Sequence, residues 1–129
     1  MAGDRDLPFT PRSAVHLKVG DLIGVPSATG RWGCLQVTDI ESGSRKFLYV
    51  GLLDWSGERP PTAENTASAK TLDSALSRME MFSEGGLQVF DNRPVIGVQS
   101  NRTEFAVGTV HRVKGWKAAI GAAEARADA

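Results

Sequence analysis

The chain has 129 residues, 41% apolar and 23% charged, a balance that suits one globular domain rather than a disordered chain. Fifteen basic and fifteen acidic residues cancel, which excludes the basic excess usual in a nucleic-acid-binding domain. A single cysteine, Cys34, excludes an internal disulfide and fits a reducing compartment.

Residues 1–14 read as a flexible lead-in, because Asp4, Asp6, Pro8 and Pro11 disfavour regular structure. They lack the apolar core of a secretory signal. No apolar run approaches ~20 residues, so no membrane span is expected. The expected location is the cytoplasm.

The globular domain is expected over residues 15–117. Gly20–Asp21 is a turn signal, followed by a short apolar strand that Pro26 ends. Thr29–Gly30 is a second turn. Residues 31–40 predict a strand with Trp32, Cys34 and Gln36 on one face and Gly33, Leu35 and Val37 on the other. A turn at residues 41–44 leads to a third strand, 46–53, which is almost continuously apolar, as a strand covered on both faces would be. Residues 56–70, with Gly57, Pro60 and Pro61, read as a long loop, and loops of this length are often functional or disordered.

Leu72, Ala75, Leu76, Met79 and Phe82 recur at helical spacing, which predicts a helix over 71–84 with Thr71 as its cap, Asp73 in its first turn and Gly85–Gly86 as its stop. Short strands are expected at 87–90, 95–99 and 105–113. The alanine-rich tail, 118–129, fits a frayed helix or disorder. The order predicts an α+β fold: a small, strongly bent, mostly antiparallel sheet, a half-barrel with an SH3-like start, and one packed helix.

Few residues are arranged for chemistry. His16 and His111 are the only histidines and have no local ligand partners. Cys34 sits in a strand pattern as a small core residue. Gly20 and Gly24 have neither the spacing nor the following helix of a phosphate-binding loop. Glu80 and Glu84 lie one helical turn apart but fit a solvated face. No catalytic residue, metal or cofactor is expected, and the protein is expected to act by binding.

Charge and aromatic placement indicate where. Residues 54–91 carry a net charge of −4 and residues 102–117 a net of +3. The two stretches could attract each other, or the acidic one could face a basic partner. Trp55, beside Asp54, Glu58 and Arg59, is either rim packing or an interface anchor. With Glu64 and Glu84, these residues are the candidate partner-binding set.

The run Lys18–Val19–Gly20–Asp21–Leu22–Ile23–Gly24–Val25–Pro26, then Gly30–Arg31–Trp32–Gly33–Cys34–Leu35–Gln36–Val37, and later Asn92–Arg93–Pro94–Val95–Ile96–Gly97, resembles the immunity protein 26 (Imm26) family of bacterial polymorphic-toxin systems. The resemblance implies a cytoplasmic antidote that binds a cognate toxin domain, encoded by an adjacent gene, and blocks its active site or substrate access. If that toxin acts on nucleic acid, its cleft should be basic and the acidic stretch could occupy the path of the phosphates. The competing expectation is an SH3-like nucleic-acid or ribosome-associated module, for which Arg31, Trp32, Arg45, Lys46 and Tyr49 are a loose basic-aromatic set.

Overall fold

A glycine with positive φ begins the ordered sheet. Gly20 (φ 98°) bends the chain while the Asp21 carboxylate accepts from the Lys18 amide at 2.8 Å, and the chain enters β1 (Asp21–Pro26). A second positive-φ glycine, Gly30, turns β1 into β2 (Trp32–Ile40). The computed structural model describes residues 7–13, 16–40, 47–96 and 115–128 of the chain.

β2 pairs on its far side with β3 (Phe47–Leu53). β3 then pairs with β4 (Thr71–Arg78) along its whole length, from Phe47 opposite Arg78 to Leu53 opposite Thr71. A short helix, α1 (Glu80–Ser83), leads into β5 (Gln88–Asn92), which returns to β1. The result is one open antiparallel sheet in the order β4-β3-β2-β1-β5. Register shifts interrupt β1, the β2–β3 ladder and β3, and such bulges increase local twist. With the C-terminal helix α2 (Gly115–Ala127), the architecture is α+β.

The helix expected over 71–84 is instead β4 followed by α1. The helical stripe joined residues of two elements: Met79 and Phe82 belong with the α1 segment, not with 71–78. Asp73, Ser74 and Ser77 favour helices weakly, and β3 offers an edge whose backbone groups need partners. Pairing with a strand distant in sequence overrides the local period. Thr71 is therefore no cap; it opens β4. The glycine stop holds: Gly86 (φ 72°) closes α1, with its amide on the Phe82 carbonyl and that of Leu87 on Met81.

The strand expected at 87–90 is β5. Val95 and Ile96 lie outside any strand, and the rest of 95–99, the strand expected at 105–113, His111 and the turn at 41–44 lie outside the described residues. At the other end, Phe9 exchanges two backbone hydrogen bonds with Val89, against the outer edge of β5.

Two layers cover the sheet. On one face Ile23, Val25, Leu35, Val37, Leu48, Val50 and Val89 pack with Met81 and Phe82 of α1 and Ala119 and Ala123 of α2. On the other face Leu22, Cys34, Leu53 and Ala69 form a smaller cluster with Trp55 against it.

The alanine-rich tail, which by sequence fits either a frayed helix or disorder, is a helix, and it roofs the larger core. Ala119, Ala123 and Ala127 are fully buried at four-residue spacing, and such small side chains let backbones approach. A Cβ on Gly33 of β2 would fall 2.2 Å from the Ala123 carbonyl oxygen. The last turn is fastened to the β1–β2 turn: Arg31 Nε donates to the Ala127 carbonyl at 3.1 Å, satisfying one of the carbonyls a helix end leaves free. Ser27 and Thr29 both donate to the Asp128 carboxylate.

Gly33→Ala should therefore push α2 off β2. The expected loss is about 1–3 kcal/mol, the usual cost of overpacking, read as a lower urea midpoint with secondary structure retained.

Candidate partner-binding surface

The candidate set falls mostly on one loop, residues 54–70, whose ends meet where the Asp54 amide donates to the Lys70 carbonyl at 2.8 Å. A loop with closed ends, packed by its own side chains, is an Ω-loop. Polar and backbone contacts pin it internally. Trp55 Nε1 crosses the loop to the Asn65 carbonyl at 3.0 Å. Thr62 and Asn65 cap each other: the Thr62 amide donates to Asn65 Oδ1 at 2.7 Å and the Asn65 amide to Thr62 Oγ1 at 3.0 Å. Thr66 Oγ1 donates to the Thr62 carbonyl at 2.6 Å.

The loop is also fixed to the sheet. Gly57 and Trp32 exchange two backbone hydrogen bonds, 2.7 and 3.0 Å. The Ala63 amide donates to Asp91 Oδ2 at 2.7 Å. Buried Pro61 lies over Gly24, where a Cβ would come within 3.1 Å of its ring and closer still to Phe90. Phe90 in turn meets Trp32 edge-on, ring centroids 5.4 Å apart.

Each candidate residue has a distinct place. Trp55 is half-buried against the smaller core cluster, and its ring lies against Gly57, so it serves as packing that props the loop. Asp54 is exposed but accepts from both Nε and Nη2 of Arg126, at 2.9 and 2.8 Å, which ties the loop base to α2. Glu58, Arg59 and Glu64 are exposed on the loop. Glu84 is not brought to them: it follows α1 in the helix layer, next to Gly85, which approaches Ile120 of α2. The structure thus separates Glu84 from the loop by the thickness of the sheet.

Sequence reasoning missed what lies beneath the loop. Gln36, wholly buried, donates through Nε2 to the carbonyls of Arg93 at 2.8 Å and Gly20 at 3.3 Å, and accepts from Thr71 Oγ1 at 2.9 Å. Asn92 Nδ2 donates to Asp21 Oδ1 at 2.9 Å beside it. Alternation along 31–40 placed Gln36 on the same face as Cys34, but nothing in that pattern announces that both faces are closed. The partners of Gln36 come from segments distant in sequence.

Cys34 is fully buried, and burial pushes its thiol far above the ordinary cysteine value despite the nearby Arg93 charge. Among the described residues no group of three or more His, Cys, Asp or Glu could hold a metal ion, and no helix is long and apolar enough to cross a membrane. Compared with protein-family models, curated proteins and solved structures, the chain matches nothing.

Folded protein should therefore leave Cys34 unmodified by a thiol reagent at neutral pH, with one equivalent reacting after unfolding. The folded state keeps the proton that the unfolded thiol loses near pH ~8.5. The stability this contributes is complete below that pH and declines as pH rises above it; urea midpoints measured from pH 7 to 10 would show the decline.

Proposed function

We propose that the protein is an immunity protein of the Imm26 type, which binds a cognate toxin domain in the cytoplasm and blocks its active site or substrate access. The observation that carries this reading is the ordered Ω-loop, which holds Glu58, Arg59 and Glu64 outward on a base tied to both the sheet and α2. A surface already ordered before binding loses little conformational entropy when a partner docks. The two exposed carboxylates give it acidic groups that can steer a basic partner.

The resembling residues also have places in this scaffold. Gly20 makes the entry turn, Pro26 ends β1, and Gly33 receives α2. In this reading they are the positions that a fold shared with the family would keep, and contact with the toxin is assigned to the loop on charge and exposure. Asp54 and Trp55 act in this reading by holding the loop, and Glu58, Arg59 and Glu64 by touching the partner. Glu84, on the other face, is left out of the contact.

The test is capture of the product of the adjacent reading frame, followed by kinetics. A one-to-one complex that protects cells from that product is expected. The double substitution Glu58→Lys with Glu64→Lys should slow association roughly tenfold or more at low ionic strength, with the difference shrinking as salt screens it. Glu84→Lys should leave the rate unchanged. Failure of the adjacent product to bind, or an on-rate indifferent to the double substitution, would overturn the reading or its electrostatic part respectively.

A further inference from the structure

Arg93 is a charged side chain only 5% exposed, and burying a guanidinium is costly unless its donors are matched. Among the described residues no carboxylate pairs with it. Its acceptors are two backbone carbonyls of the Ω-loop: Nη2 donates to Ala69 at 2.6 Å and Nη1 to Ala67 at 3.4 Å. Nε is buried and has no partner among the described residues. Burial lowers its pKa.

The other end of the residue is fixed. The Arg93 amide donates to the Gly20 carbonyl at 3.0 Å, and its own carbonyl accepts from Gln36 of the central strand at 2.8 Å. The side chain thus spans from a backbone anchored in the sheet to the underside of the loop, where the carbonyls of Ala67 and Ala69 accept from it. A flat guanidinium can serve two carbonyls at once; an ammonium is a point donor without that fork.

We infer that Arg93 is a positioning residue for the 54–70 loop: anchored to Gln36 and Gly20, it grips the Ala67 and Ala69 carbonyls and so fixes the outer surface that carries Glu64. Its consequence for partner binding rests on the reading proposed above, but the grip itself is tested without a partner, so the two can fail separately.

The experiment is residue-resolved amide hydrogen exchange on the full chain, comparing the natural protein with Arg93→Met and Arg93→Lys. In Arg93→Met the amides of Thr66, Ala67 and Ala69, which are bonded within the loop, should exchange roughly tenfold faster or more, while those of β1 and β2 keep their protection. Arg93→Lys, which retains a donor but not the fork, should fall between the two. Unchanged loop amides, or equal acceleration across β1, β2 and the loop, would overturn the inference. If Arg93→Met does not fold, the natural protein and Arg93→Lys decide: loop amides slow in the first and selectively faster in the second support the grip, and amides as fast as an unprotected chain in the natural protein overturn it.

Discussion

The strand β2 is apolar on one face, carries Cys34 and Gln36 on the other, and is buried over Gly33–Val37. A strand in the middle of an open sheet must therefore be covered twice, and a chain of this length has few elements with which to do it. The molecule solves the two faces differently. On one, the larger apolar surface calls for a helix layer; on the other, a smaller surface with a buried amide calls for a cover that can hydrogen-bond.

The helix layer depends on shape. Alanines at four-residue spacing and a glycine on β2 let the α2 backbone rest against the strand, and the Arg126–Asp54 pair with the Arg31–Ala127 bond holds the end of the helix in place. Exposed ion pairs of this kind contribute little stability alone. Their effect is geometric, since they join the end of α2, the β1–β2 turn and the base of the Ω-loop.

The loop layer depends on polar matching. Gln36, Thr71, Asn92, Asp21 and Arg93 pair their polar groups with one another or with backbone carbonyls, two of them supplied by the loop. Buried polar networks rigidify what they hold to the extent that they are satisfied, and here the Arg93 Nε is left over among the described residues. The proposed partner-facing carboxylates thus stand on a scaffold that is ordered from inside, and the exposed residues remain free to vary in charge without disturbing the core.

Much of the first half was legible because its signals are local. Turn glycines, a strand-ending proline and period-two alternation act over a few residues, and Gly20, Pro26, Gly30 and the faces of β2 could be placed from them. The stripe at 71–84 misled because two short elements in succession imitate one helical period, and only pairing with β3 decides between them. The exposed part of the candidate site was legible as charge beside a long loop, but the packing of Trp55 and the separation of Glu84 depend on which face each segment covers.

By itself, then, the sequence determined a small α+β chain with hairpin turns, a lone cysteine within a strand and an excess of acid over residues 54–91, since each follows from residue type and near neighbours. Only the tertiary structure decided that 71–78 is a strand, that the alanine-rich end is a packed roof, and that Arg93 and Gln36 lie beneath the loop. Those outcomes come from hydrogen bonds and close approaches between segments far apart in the chain, and no local pattern encodes them.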